Sequence, residues 1–168
     1  MSGVRFARHY APGMARRGWG RIVFVSSESA LNIPKEMIHY GMTKTAQLAI
    51  ARGMAMELAG TGVTVNALLP GPTHTETTDR LRAERARAAG ITVAEIEADF
   101  FRDFRPTSLL RRFTSADEGG GAGRLSLQRG RVRHVRCGDA GRWRRGQPDH
   151  VAALPPPWCA LIRICDLV

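Results

Sequence analysis

Two short apolar runs separated by one long helical segment limit the possible folds more than any other feature of this chain. Residues 21–26 read RIVFVS and residues 63–70 read VTVNALLP, and such short apolar runs, rich in β-branched residues, are typical of strands buried on both faces. Between them, residues 39–58 carry helix formers and stop before Gly60 and Gly62, as helices commonly do. This order with short connections predicts an α/β fold with a parallel sheet.

The flanking segments extend the same layered arrangement. Residues 4–17 place apolar side chains at helical spacing and predict an amphipathic helix before the first strand. Residues 77–104 are rich in Ala, Arg and Glu and predict one or two exposed helices, broken near Gly90. We therefore expect one domain over residues 1–118.

Tyr40 and Lys44 lie four residues apart in the predicted central helix, so their side chains share one face. A phenol, whose ordinary pKa is about 10, exchanges protons poorly at neutral pH, and a fixed ammonium beside it favours the phenolate. The pair can therefore serve acid–base chemistry. The same spacing also occurs on many solvated helix faces, so the pair alone leaves both interpretations open.

Three motifs in a fixed order favour the chemical interpretation. The chain reads GRIVFVSS, then YGMTK, then VTVNALLPGPTHT, and in this order the motifs resemble the short-chain dehydrogenase/reductase family. In that family a catalytic serine lies thirteen positions before the tyrosine, and counting back from Tyr40 reaches Ser27. Ser26 is interpreted as a structural serine at the strand end. The resemblance implies part of a doubly wound, Rossmann-like parallel sheet.

The resemblance also implies a role for each member of this trio. Tyr40 would protonate the carbonyl oxygen during reduction and accept the proton in the reverse reaction. Lys44 would favour the phenolate and hydrogen-bond the nicotinamide ribose, and Ser27 would donate a hydrogen bond to the substrate oxygen. The implied function is NAD- or NADP-dependent oxidoreduction of a small alcohol or carbonyl compound.

The loop after the second predicted strand matches the family segment that lies along the nicotinamide. The residues expected to contact the cofactor are Tyr40, Lys44, Pro70, Gly71, Thr73 and Thr75. Thr75 is expected at the carboxamide. Asn66 is interpreted as structural, His74 as a solvated loop residue, and neither His39 nor His74 is assigned a catalytic role.

The family's glycine-rich turn, TGxxxGxG, which approaches the cofactor pyrophosphate at a helix N-terminus, does not occur in these 168 residues. We therefore expect a truncated catalytic half that is inactive alone and binds the dinucleotide weakly. The alternative is a non-catalytic remnant that acts as an oligomerisation or interaction module, because the two long helices are those that the family uses in subunit packing. The intact family member is expected to be a homo-oligomer.

The sequence changes character at about residue 119. Residues 119–168 contain nine arginines, three acidic residues, all three cysteines and little periodicity, which predicts a basic, poorly ordered tail. Reading the codons one nucleotide later permits residues 119–149 to encode a family-like apolar helix and a strand ending in VDGG. We prefer this shifted frame to an evolved basic extension.

Charge and composition favour no other class of protein. The net charge of +10 suggests a nucleic-acid binder, but only Lys35 and Lys44 among the 25 basic residues are lysines, and a GC-rich coding sequence explains an arginine bias as well. No run approaches a membrane span, and the cysteines show neither zinc-site spacing nor a disulfide framework. We expect a cytoplasmic protein that binds neither nucleic acid nor membranes and holds no metal.

Overall fold

The computed structural model describes residues 2–128 and 161–162. Its elements, in chain order, are α1 (Ser2–Arg16), β1 (Gly20–Val25), α2 (Ile38–Glu57), β2 (Val63–Leu68), α3 (Glu76–Ala89), α4 (Val93–Asp103), α5 (Ala116–Leu127) and β3 (Leu161–Ile162). Short 3-10 turns at Glu28–Ala30 and Lys35–Met37 interrupt the loop between β1 and α2. The predicted α/β order is confirmed.

The sheet is parallel, and α2 is the crossover that joins its two longer strands. Gly20 pairs with Val63 at one end of the β1 and β2 ladder, and Val25 pairs with Leu68 at the other. β3 adds a two-residue strand on the far side of β2. Because parallel strands end at the same edge, the loops after β1 and β2 meet there, which is where ligands bind in open α/β sheets.

Small residues bring the two long helices close to the sheet. The buried residues of this core are Ala7, Ala11, Phe24, Ala51, Ala55, Leu58, Val63, Val65, Ala67 and Leu69. The aromatic side chains of α1 do not join them, since Phe6 is 64% exposed and Tyr10 is 56% exposed, whereas the partly buried Met14 packs against this core. The helical spacing is therefore correct, but alanine rather than the aromatic residues forms the buried face.

The domain boundary expected at residue 119 falls inside α5. A capping box starts this helix, because the Ser115 side chain accepts from the backbone of Glu118 and the Glu118 carboxylate accepts from the backbone of Ser115. Bonds from Arg112 and Ser115 lower the pKa of Glu118 to about 2. Residues 129–160 and 163–168, and with them most of the expected tail and of the proposed shifted frame, lie outside the described residues.

In the described part of the chain, no helix has both the length and the apolar character that crossing a membrane requires.

The turn from α2 into β2 depends on Gly62, where the chain passes against Gly18. Its φ is +78°, and an added Cβ would lie 2.0 Å from the Gly18 carbonyl oxygen. Gly60 also has a φ of +78°, but nothing lies within 4 Å of its Cβ position. We expect Gly62→Ala to lower the free energy of unfolding by about 3 kcal/mol and Gly60→Ala by about 1 kcal/mol. Urea unfolding measures both, and equal losses would contradict the close approach.

Candidate active site

The two serines that follow β1 have different partners. Ser26 continues the β1 ladder by donating its backbone N–H to the carbonyl of Leu68 at 2.8 Å. Its hydroxyl donates to the carbonyl of Lys44 at 2.9 Å. Ser27 is buried, and its hydroxyl accepts the backbone N–H of Ser29 at 3.1 Å. Ser26 thus fastens the strand to α2, while Ser27 starts the 3-10 turn that follows.

Tyr40 and Lys44 lie on successive turns at the start of α2, and both are half-buried. The Lys44 Nζ atom is 5.5 Å from the centre of the Tyr40 ring. The same ammonium donates to the carbonyl of Val25, the last residue of β1, at 3.1 Å. Lys44 is therefore held to the sheet by its side chain, and through Ser26 by its backbone. This fixes a positive charge beside the phenol.

The loop after β2 meets the loop after β1 at the carboxyl edge of the sheet. The backbone N–H of Glu28 donates to the carbonyl of Pro70 at 2.9 Å. Thr73 donates from its hydroxyl to the carbonyl of Gly71 at 2.9 Å, and its hydroxyl is 3.2 Å from that of Thr114. The structure therefore brings the segment after Ser27 against the loop that carries the expected cofactor residues.

Thr75, expected at the nicotinamide carboxamide, is exposed and caps the N-terminus of α3. Its hydroxyl accepts the backbone N–H of Thr78 at 3.2 Å, and its own N–H donates to the Thr78 hydroxyl at 3.1 Å. Any contact with a ligand would have to share this hydroxyl with the cap. Asn66, interpreted as structural, is only 2% exposed within β2.

A polar cluster that the sequence did not predict lies beside this loop. The Arg82 cluster comprises Arg82 and Asp79 of α3, His74, Glu97 of α4, and Phe113. The Arg82 side chain is only 9% exposed, donates to Asp79, and has its Nε 3.1 Å from a Glu97 carboxylate oxygen. Its guanidinium carbon lies 3.9 Å from the centre of the Phe113 ring. Arg82 thus connects two helices and the segment after them.

His74, expected to be a solvated loop residue, is exposed in the loop before α3, and its ring also contacts two side chains. Its Nδ1 lies 3.0 Å from an Asp79 carboxylate oxygen and 3.0 Å from an Arg82 guanidinium nitrogen. A protonated Nδ1 donates to Asp79 and an unprotonated one accepts from Arg82, so only one bond forms at a time. The position in the PGPTHT loop gave no signal of these contacts, because both partners lie in the helix that follows.

Within residues 2–128 and 161–162, no three His, Cys, Asp or Glu side chains are grouped so that they could hold a metal ion.

Comparison with known proteins places this geometry in context. Residues 1–86, just over half of the chain, match the model of the short chain dehydrogenase family. The uncharacterized oxidoreductase YvaG of Bacillus subtilis (strain 168) is 42% identical over 118 residues, which cover 70% of this chain and 45% of YvaG. The chain thus spans about half the length of the curated relatives that it matches.

Solved structures show the same fold. A 3-oxoacyl (acyl-carrier-protein) reductase from Agrobacterium tumefaciens C58, solved with NADP bound, superposes with a TM-score of 0.64 at 25% identity, covering 76% of this chain and 45% of its own. L-sorbose reductase from Gluconobacter frateurii, complexed with NADPH and L-sorbose, gives a TM-score of 0.64 at 24% identity, covering 75% and 47%.

Proposed function

The chain belongs to the short-chain dehydrogenase family, and from that membership we propose that it carries the catalytic residues of an NAD- or NADP-dependent oxidoreductase acting on a small alcohol or carbonyl compound. Tyr40 exchanges a proton with the substrate oxygen, Lys44 supplies the neighbouring positive charge, and Ser27 donates a hydrogen bond to that oxygen.

The position of the Lys44 ammonium is the observation that carries this proposal. It is fixed between the Tyr40 ring, 5.5 Å away, and the Val25 carbonyl, 3.1 Å away. The bond to Val25 is exposed to solvent, but it joins the lysine to a second element, which an i,i+4 pair on an isolated helix face does not require. This arrangement puts a positive charge beside the Tyr40 ring, as a tyrosine acid–base catalyst uses it.

The residues at this edge of the sheet fit a nicotinamide dinucleotide. An ammonium has three donors, and the bond to Val25 uses one, so Lys44 retains donors for ribose hydroxyls. Pro70, Gly71, Thr73 and Thr75 lie in the adjoining loop, where we place their contacts with the cofactor. The bound cofactor supplies or accepts the hydride. Tyr40 then holds or releases the proton at its phenol oxygen, and Ser27 orients the substrate.

The 168-residue chain alone is proposed to bind the dinucleotide weakly. The sequence contains no TGxxxGxG turn, and that turn with its helix N-terminus provides much of the pyrophosphate binding in related folds. A functional test therefore needs a chain in which these residues follow a glycine-rich nucleotide-binding half. We refer to this protein as the completed chain.

In the completed chain, we expect Lys44→Ala to weaken dinucleotide affinity and to slow carbonyl reduction by about 100-fold or more, because one ammonium serves both the ribose and the phenol. Lys35→Ala is the matched control, since Lys35 is the only other lysine and is exposed. Fluorescence titration with NADH and NADPH measures affinity, and NAD(P)H oxidation measures the rate. Equal behaviour of the two variants would refute the assignment of Lys44.

A second candidate function is that of a non-catalytic oligomerisation or interaction module. Exposed apolar side chains on both long helices favour this candidate: Phe6, Tyr10, Ile38, Met42 and Met56 are each more than half exposed. The same surfaces fit the homo-oligomer that we propose for an intact enzyme. Carbonyl reduction by the completed chain, lost in Lys44→Ala, would exclude a purely structural module.

A further inference from the structure

A mostly buried ion pair joins the residue after Ser27 to the segment that follows α4. Arg105 places its Nε 2.8 Å and one terminal nitrogen 2.5 Å from the same Glu28 carboxylate oxygen. The two side chains are only 13% and 15% exposed. The partners are 77 residues apart in the chain, so the pair fixes the end of α4 against the loop after β1.

Glu28 is also held by its backbone. Its N–H donates to the Pro70 carbonyl at 2.9 Å, and its own carbonyl accepts the N–H groups of Leu31 and Asn32 at 2.9 and 3.0 Å. The Ser29 hydroxyl contacts the same carboxylate oxygen that Arg105 uses, at 3.3 Å. The residue next to Ser27 is therefore a junction of the 3-10 turn, the loop after β2 and the end of α4.

We propose that the Glu28–Arg105 pair is a positioning device that sets the orientation of the Ser27 hydroxyl. This inference rests on the function proposed for Ser27, the donor to the substrate oxygen. The pair restrains the 3-10 turn, and the first hydrogen bond of that turn is the one that the Ser27 hydroxyl accepts from the Ser29 N–H. Loosening the turn frees this hydroxyl to rotate.

Stability alone is a poor reason to bury such a pair. Removing two charges from water costs about as much as their attraction returns, so a buried ion pair is weak evidence for a stabilising role. The geometry does fix one atom, because the Nε and a terminal nitrogen of Arg105 converge on a single Glu28 carboxylate oxygen, to which the Ser29 hydroxyl is also close. Because Glu28 directly follows Ser27, holding its carboxylate also restrains the 3-10 turn that Ser27 caps.

The test measures amide hydrogen exchange in the 168-residue chain, residue by residue, by nuclear magnetic resonance. We expect Glu28→Gln and Arg105→Gln each to speed exchange of the Ser29 amide by about tenfold, the effect of losing a charge-assisted hydrogen bond, while the amides of β2 keep their rates. Arg105→Lys keeps the charge but loses the guanidinium. The exchange rate of the Ser29 amide in this variant should therefore lie between the parental rate and the rate in Arg105→Gln. Arg102→Gln, which removes exposed ion pairs on α4, should leave Ser29 unchanged.

A double variant shows whether the pair acts through Ser27. Ser27→Ala removes the acceptor of the Ser29 N–H, so adding Glu28→Gln to it should speed Ser29 exchange no further, whereas independent effects would add. An unchanged Ser29 amide in the single variants, additive effects in the double variant, or equal acceleration throughout β2 would overturn the proposal. Full turnover by Ser27→Ala in the completed chain would instead refute the proposed role of Ser27 and leave the exchange result standing.

Discussion

Tyr40→Phe is expected to lower carbonyl reduction by the completed chain about 1,000-fold, within the range that a positioned general acid contributes. The substitution removes only the phenol oxygen. The ring remains to pack beside Lys44, whose ammonium lies 5.5 Å from its centre, and the bond from Lys44 to Val25 is unaffected. Dinucleotide affinity should therefore stay nearly constant, because the phenol serves the substrate proton and Lys44 serves the ribose.

Tyr10→Phe is the matched control, since Tyr10 is the only other tyrosine and is 56% exposed on α1. It should reduce carbonyl compounds at the parental rate. Single-turnover measurement of NAD(P)H oxidation, with cofactor titration in parallel, separates chemistry from binding. A Tyr40→Phe variant with full activity would refute the catalytic assignment. Equal losses of rate and cofactor affinity would show that the phenol oxygen itself also contributes to dinucleotide binding.

Arg82→Met is expected to lower the free energy of unfolding by about 3 kcal/mol, because the nearly buried guanidinium loses its charge-assisted contacts with Asp79 and Glu97, each worth about 1.5 kcal/mol. The loss also includes the cation–π contact with Phe113, 3.9 Å from the guanidinium carbon. Methionine keeps much of the length and the apolar contact of the arginine stem, so the change isolates the charge. The loop that carries Thr73 and Thr75 should also become more mobile.

Arg80→Met is the control on the same helix. Arg80 forms an ion pair with Glu84 at 3.9 Å, but its side chain is 69% exposed, so its loss should cost less than about 0.5 kcal/mol. Urea unfolding measures both variants, with the slope compared to confirm that the unfolding transition is unchanged. Similar urea midpoints for the two variants would show that the burial of Arg82 does not increase its contribution to the free energy of unfolding.

The sequence predicted the elements whose signal is local. Helix α2 begins at Ile38 where the sequence indicated His39, and strands β1 and β2 begin within one residue of their predicted positions. These predictions succeeded because the signals that they used, runs of β-branched residues and glycines at helix ends, depend only on neighbouring residues. The start of α5 also had a local signal, a serine followed three residues later by glutamate, but the run GGGAG obscured it because glycine disfavours helices.

Local sequence patterns did not predict the contacts around the candidate site. Glu28 and Arg105 are far apart in the chain, and the spacing of neither residue indicates a partner. Arg82 resembled one more exposed charge in an arginine-rich helix, and only the packing of α4 and Phe113 against α3 reveals its burial. The predicted assignments of Ser27, Tyr40 and Lys44 remain predictions for the variants described above.

The parallel register of β1 and β2 has a consequence for the order of folding. Each paired residue of β2 lies 43 positions after its partner in β1, so the ladder closes only after a long loop has been ordered, and such high contact order slows folding. Tyr40 and Lys44 share one helix and can approach each other early. The bonds from Lys44 to Val25 and from Ser26 to Leu68 must wait for the strands to dock. We therefore expect the arrangement of Ser26, Tyr40 and Lys44 to form late in folding, after β1 and β2 have paired.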